Sequence, residues 1–373
     1  MAITGSPDHH GSHRHLLKAL DAPATRARVD AIIVPTVRPT AYLGHTVELS
    51  RKLDCPLVVL GSGPHYTGFD GIRAVHDPAA RLHAFVVADP ARLRLPALAT
   101  SRVLPAELRR GTDTAAKRNL GLAITRMLGW ERVIFMDDDI EVPSPDDLRR
   151  AATLLDQHAA VALSVDDTGF PDNSVVCHAY REVGGDQESF VGGGALAVET
   201  TRHVSFFPDV YNEDWFYLLD DDGLRSLAVA GTIRQRPYDP FADPGRARTE
   251  ELGDVLAEGL FWLLDEGRGL ADADHAHWAE FLARRERFVA GIADLVPTRA
   301  PAGRRAAMLA SLTAALDRLR LITPELCLAY LAAWREDRRV WRDYLDGLEA
   351  VASAPDLRLT REGAAPLDSL HLG

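Results

Sequence analysis

Val133-Ile134-Phe135-Met136-Asp137-Asp138-Asp139 sets an apolar, strand-forming run directly against three consecutive carboxylates. Side chains alternate along an extended chain, so Asp137 and Asp139 are expected to point one way and Asp138 the other. Two hard oxygen donors on one side suit Mn²⁺ or Mg²⁺ bridging a diphosphate. Like charges set this closely also repel unless a cation sits among them. The plainer alternative is a surface turn whose acids solvate a strand end.

Four other groupings could serve the same chemistry. Gly111-Thr112-Asp113-Thr114-Ala115-Ala116-Lys117-Arg118-Asn119 opens a helix, whose free N–H groups and basic side chains attract phosphate; otherwise Lys117 and Arg118 simply solvate it. Val34-Pro35-Thr36-Val37-Arg38-Pro39 ends another strand, where Thr36 and Arg38 could hold a base, ribose or phosphate, or merely turn the chain. Phe190-Val191-Gly192-Gly193-Gly194-Ala195 puts three glycines in a strand-like stretch, which weakens a sheet unless a sugar or acceptor must come close; the alternative is a bulge. In Tyr211-Asn212-Glu213-Asp214-Trp215-Phe216, Asn212 is expected to cap a helix with Glu213 and Asp214 in its first turn. Acids sit there for dipole reasons alone, but Trp215 and Phe216 could frame a sugar ring and tune a carboxylate as a base. The loop from Asp166 to Gln187, with Phe170, Asn173, His178, Tyr180 and Arg181, reads as an acceptor contact or a lid.

The elements that must position these residues follow from periodicity. Val- and Ile-rich runs at Asp30 to Pro35, Pro56 to Leu60, His83 to Ala88, Arg132 to Met136 and Ala160 to Val165 read as buried parallel strands. Helical patterns lie between them, from Asp113 to Gly129 with Thr112 or Asp113 as cap, and from Ser144-Pro145 onward. Strand–helix alternation implies an α/β sheet, which binds ligands at the C-terminal edges of its strands. Beyond about residue 245 the pattern is helical, near 250–266, 274–295, 303–320 and 324–351, with Pro297, Pro301, Pro324 and Pro355 as punctuation. The expected organisation is a flexible 1–28, an α/β catalytic domain over 29–240 and a helical C-terminal domain over 246–373.

Composition narrows the partners. A formal charge of −12 argues against general nucleic-acid binding, so any bound phosphate must meet local cations or metal. Cys55, Cys177 and Cys327 form no CxxC pair, which fits a reducing cytoplasm. His9, His10, His13 and His15 sit among Gly, Ser and Pro and read as part of a flexible start, not a metal site. No run of about 18 apolar residues occurs, so no membrane span is expected.

Taken in order, these groupings resemble glycosyltransferases of the GT-A fold, especially the large inverting family of polysaccharide and galactofuranosyl transferases. The resemblance covers roughly residues 29 to 240. It implies a Rossmann-like, mostly parallel sheet, with Pro35, Thr36 and Arg38 touching the nucleotide and Lys117, Arg118 and Asn119 near the donor. It places Asp137 and Asp139 on the cation and on the ribose or diphosphate, with Asp138 among the donor-binding candidates. Gly192 and Gly193 resemble the glycine loop under the transferred sugar, and Asp214 the catalytic base with Glu213 beside it. Two departures stand out. The second strand ends Val59-Leu60-Gly61-Ser62-Gly63 without the family's acid, leaving Asp89 as a substitute. The family's late metal-binding His has no match in Arg236-Pro237-Tyr238-Asp239, leaving His275 or His277 to reach back to the metal.

The resemblance therefore implies a metal-dependent transferase of the hexosyltransferase class, and the cysteine usage makes the expected location cytoplasmic. It would move a sugar from a UDP- or GDP-linked donor to an acceptor hydroxyl, a soluble small molecule being favoured, and could oligomerise through its helical region. Rival readings are a retaining enzyme of the sugar-phosphoglycerate synthase type, a sugar nucleotidyltransferase, and a non-catalytic nucleotide-sugar-binding assembly protein. A haloacid-dehalogenase-like phosphatase fits worse, because Glu141 stands where its motif has Thr or Val and about 130 residues precede the Asp triplet.

Overall fold

β-Branched side chains pack well on a pleated surface, and the Val/Ile runs of the first half all become strands. In the computed structural model, which describes residues 6–19, 26–63, 71, 81–87, 89–166, 169–191, 193–353, 357 and 369–372, they build one ten-stranded sheet. Its strands are β1 (Lys18–Ala19), β2 (Ala31–Thr36), β3 (Leu57–Gly61), β4 (Leu82–Val86), β5 (Arg132–Met136), β6 (Ile140–Glu141), β7 (Ala160–Val165), β8 (Ala195–Glu199), β9 (Leu227–Gln235) and β10 (Ser369–Leu372). The order is β1-β9-β7-β8-β5-β2-β3-β4-β10, with β6 paired to the end of β9. Strands β2 to β5 run parallel to one another, as do β7, β9 and β1. Inside the sheet β8 runs against both neighbours, β5 and β7, and β10 closes the far edge against β4.

The helices are α1 (Gly44–Leu53), α2 (Ala99–Val103), α3 (Thr114–Leu128), α4 (Pro145–Leu154), α5 (Val175–Glu182), α6 (Glu213–Tyr217), α7 (Pro244–Asp265), α8 (His275–Arg299), α9 (Arg305–Leu319) and α10 (Pro324–Asp346). Alternate residues of each strand feed opposite faces of the sheet. Ile32, Val34, Ile134 and Met136 pack with Val47 of α1 and Leu148 and Ala151 of α4. Ile33, Val133 and Phe135 pack with Leu120 and Ile124 of α3 and, in the same core, with Leu252, Trp278 and Trp334 of the C-terminal helices. The α/β class, the mostly parallel sheet and the helical C-terminal region agree with the sequence expectation. No described helix is long and apolar enough to cross a membrane.

Local differences have identifiable causes. The glycine stretch is not strand: Gly193 and Gly194 form a turn and β8 begins only at Ala195, while Gly192 lies outside the described residues. The helix at Glu213 stops after Tyr217, since the chain turns back so that Leu219 bridges Leu224. Pro297 does not break α8, which runs on to Arg299; a proline in the last turn removes one ladder bond. Residues 6–19, read from sequence as part of a flexible start, pack against α7 and α8, with Asp8 paired to Arg287 and Arg284 donating to the Pro7 carbonyl.

One buried ion cluster ties α8 to α7. Arg285 is 1% exposed and reaches Glu251 at 2.8 Å, Asp254 at 2.8 Å and Glu258 at 3.1 Å. Removing one partner from a buried group of charges leaves the others uncompensated, which costs about 3–5 kcal/mol. Arg285→Met should therefore lower unfolding free energy in urea by about that amount, while the exposed-pair control Arg320→Met, which loses only its contact with Asp317, should cost under about 1 kcal/mol. Equal midpoints for the two variants would show the cluster to be dispensable.

Candidate active site

The chain passes from β2 outward through β3 and β4, then returns to lay β5 on the other side of β2. That reversal between β2 and β5 opens the crevice in which open α/β sheets bind ligands. The ladder between the two strands ends at Ile33 and Phe135. Pro35 lies beyond it, so its missing N–H costs no bond to β5. The segment after β2 carries Thr36 and Arg38, and the one after β5 carries Asp137, Asp138 and Asp139. Because β8 is antiparallel to β5, it starts where β5 ends, and Asp137 donates its N–H to the Gly194 carbonyl at 2.9 Å.

A cleft of about 450 Å³ opens there. Its walls include Pro35, Thr36, Arg38, Lys117, Arg118, Asp137, Asp138, Asp139, Gly193, Glu213 and Asp214, so most of the sequence candidates converge on one cavity. The carboxylates do not alternate as an extended strand would have them. The strand ends at Met136 and residues 137–139 form a turn, closed by Ile140 N–H on the Asp137 carbonyl at 3.2 Å. Asp138 accepts from Thr36 and Arg38, and Asp139 lies 2.9 Å from the same Arg38. Asp137 is turned the other way, onto Arg118 at 2.9 Å.

Arg118 is the hub of that side. Only 4% of its side chain is exposed, and besides Asp137 it donates to the Gly193 carbonyl at 3.2 Å and faces Glu213 at 3.2 Å. Gly193 has to be glycine for this: a Cβ there would sit 2.6 Å from Arg118 Nη1 and 3.0 Å from the Asp214 Cβ. Lys117 is buried beneath, donating to the Thr36 carbonyl at 2.8 Å and to Ser62 at 2.6 Å, with Asp113 2.9 Å away. Asp113 thus serves Lys117 and Ser62 and makes no side-chain cap on α3.

The turn carrying Glu213 and Asp214 is held from the C-terminal side. Asn212 takes a left-handed conformation (φ 59°) and does not cap α6; its amide donates to Asp254 of α7 at 3.0 Å. Gly253 of α7 lets the turn dock, since a Cβ there would lie 2.1 Å from the Tyr211 carbonyl oxygen. Glu213 is gripped by Arg110 at 2.7 Å as well as by Arg118.

These surroundings push the two acids of α6 apart. Burial acts to raise Glu213, but the guanidinium groups of Arg110 and Arg118 outweigh it and hold the carboxyl below its ordinary value. Asp214 is pushed up to about 7 by burial and by the Glu213 charge beside it, against Arg118, with Asp172 adding to the rise. Desolvation at the cleft floor lifts Asp137 to about 6, Arg118 opposing and Asp139 and Asp138 reinforcing, although 37% of its side chain still faces the cleft. Asp172 rises to about 7 through burial and the charges of Asp137 and Asp139.

Asp172, Arg110, Tyr238 and Arg246 are cleft residues that the sequence did not single out as site residues. Arg246 lies over the Tyr238 ring at 4.3 Å and donates to its hydroxyl at 2.9 Å. Of the loop candidates, Asn173 lines the cleft; Phe170 and His178 pack on Tyr238; Tyr180 faces His9 and Phe288; and Arg181 donates to the Gln187 carbonyl. Asn119 lies behind the cleft and clamps the Phe207 backbone with two 2.8 Å bonds. Asp89 caps Ala91 at 2.9 Å, outside the cleft. His275 pairs with Glu325 at 2.8 Å on the surface, and His277 bonds the Gly259 carbonyl at 2.9 Å, so neither lines the cleft.

No family model and no curated protein matches the chain. Among solved structures it is similar to a protein provisionally named a nucleotide-diphospho-sugar transferase, from Desulfovibrio desulfuricans G20, at 11% identity and a TM-score of 0.29, covering 54% of this chain and 80% of that one.

Proposed function

We propose that the cleft transfers a sugar from a nucleoside-diphosphate sugar to an acceptor hydroxyl, with inversion, and with Asp214 as the base. The observation that carries this reading is the split between Glu213, held ionised by two arginines, and Asp214, raised to about 7, beside the Asp137–Asp139 turn. Paired acids whose surroundings drive their pKa values apart mark acid–base assignments. A base poised near neutral pH is well matched to taking a hydroxyl proton.

The donor set fits a divalent cation. Asp137 and Asp139 offer hard carboxylate oxygens, which a shared ion would draw away from Arg118 and Arg38; burial lifts Asp137 first of all, with Asp139 and Asp138 adding to the rise, and a cation there would offset it. Mg²⁺ or Mn²⁺ takes the rest of its shell from water and phosphate oxygens. When bound, the cation supplies Lewis-acid stabilisation to the departing diphosphate. Arg38, which lines the cleft and is 39% exposed, would hold a diphosphate oxygen, with Thr36 and Pro35 on the nucleotide side. The acceptor oxygen bonds to the anomeric carbon as Asp214 takes its proton, and the bond from that carbon to the donor phosphate oxygen breaks, releasing the nucleoside diphosphate. Arg246 and Tyr238 line the same cleft and are available to acceptor hydroxyls.

Two outcomes are expected. Asp214→Asn should lower turnover at least about 100-fold, read as nucleoside diphosphate released from UDP- and GDP-linked hexoses, with diphosphate binding kept; near-normal turnover would remove Asp214 as the base. At saturating Mn²⁺, kcat/KM should rise with pH through a limb near 7, where Asp214 ionises. Asp172→Asn removes a like charge, favours ionised Asp214, and should move that limb to lower pH. An unmoved or upward-shifted limb would assign it to another group.

A further inference from the structure

His10, His13 and His15 lie away from the Asp137–Asp139 turn, at the last residue of α7. The Nδ1 atoms of His10 and His13 face one oxygen of Asp265, Oδ2, at 2.6 and 2.5 Å. His15 Nε2 lies 3.0 Å from the other oxygen, Oδ1. The Asp265 side chain is 2% exposed, yet Oδ1 accepts no hydrogen bond from any described residue, the His15 contact falling outside hydrogen-bond geometry. A buried carboxylate oxygen without a donor is costly, and the imidazole that faces this one is His15.

We propose that His10, His13, His15 and Asp265 form a zinc-type metal site that buckles residues 6–19 onto the end of α7. Imidazole nitrogens with one carboxylate oxygen are the borderline donors that Zn²⁺ takes. The donor atoms of His10, His13 and Asp265 already lie within 4.8 Å of one another, whereas His15 lies outside that group, 3.0 Å from Asp265 Oδ1, and has to swing inward to complete the set. Tetrahedral zinc with bonds near 2 Å spaces its donors about 3.3 Å apart, so the histidine–carboxylate contacts need open by less than about 1 Å.

The surroundings favour a cation and fix the rings. Asp265 ends α7, at the negative end of the helix dipole. His10 lies against Trp262 at 3.7 Å, and His13 meets Trp215 edge-on at 5.4 Å and Phe190 at 6.0 Å. These aromatic contacts restrain the orientation of the His10 and His13 rings. The consequence reaches the cleft, because His9, Gly11, Ser12 and His13 form part of its wall. The metal thereby sets the position of a wall without touching the Asp137–Asp139 turn, and the proposal stands independently of the sugar-transfer reading.

The test uses the full chain, stripped with chelator and reloaded with ZnCl₂ alone or CoCl₂ alone. The expected result is one zinc per chain by elemental analysis, the visible absorption of four-coordinate Co²⁺, and slower proteolysis within residues 6–19 when zinc is present. His10→Ala and His15→Ala, both at partly open positions, should weaken zinc binding at least about tenfold, and Asp265→Asn should do the same. Failure of the wild-type chain to retain zinc would overturn the proposal. Unchanged affinity in folded Asp265→Asn would also overturn it, by showing that the histidines bind zinc on their own.

Discussion

The candidate site depends on one buried guanidinium. Arg118 has 4% of its side chain exposed and holds three segments that lie far apart in the sequence: Asp137 after β5, the Gly193 carbonyl before β8, and Glu213 at the start of α6. A cation taken out of water is stable only if its partners replace the lost hydration, so each segment is fixed by the need to pair Arg118. The same charge opposes the rise of Asp137 and of Asp214, coupling the acid at the strand edge to the acid at the helix start. Arg110 adds a second grip on Glu213 and leaves Asp214 as the less compensated of the two.

The helical C-terminal region contributes to the site as well as to the core. Gly253 admits the Tyr211 carbonyl, Asp254 holds Asn212 in its left-handed turn, and Asp254 is itself held by Arg285 from α8. A chain of contacts therefore runs from α8 through α7 to the turn carrying Glu213 and Asp214. Because that turn is short and irregular, it takes its shape from what it docks against.

The sequence made the strand edges legible because their signals are local. An apolar run stopping at three aspartates, or glycines just before another apolar run, can be recognised within a dozen residues. Pairings across the fold could not be read in the same way. Asp138 and Asp139 share Arg38 because the chain turns after Met136, which alternation does not anticipate. Asn119 follows two basic residues at a helix start and resembles a ligand contact, but its partner is the Phe207 backbone, 88 residues away. His10, His13 and His15 looked unattached because Asp265, their partner, lies about 250 residues later. Asp172 had no flanking pattern to mark it, and its place beside Asp137 and Asp139 comes from the fold alone.

We propose that the Asp137–Asp139 turn anchors a nucleoside diphosphate through a divalent cation. A thermal-unfolding panel of nucleoside diphosphates, each with and without Mn²⁺, tests it directly, since a ligand bound only by the native state raises its stability. One nucleobase is expected to stand out, its shift to require Mn²⁺, and that shift to be lost in Asp137→Ala. Shifts of equal size without Mn²⁺, or none with any nucleoside diphosphate, would contradict it.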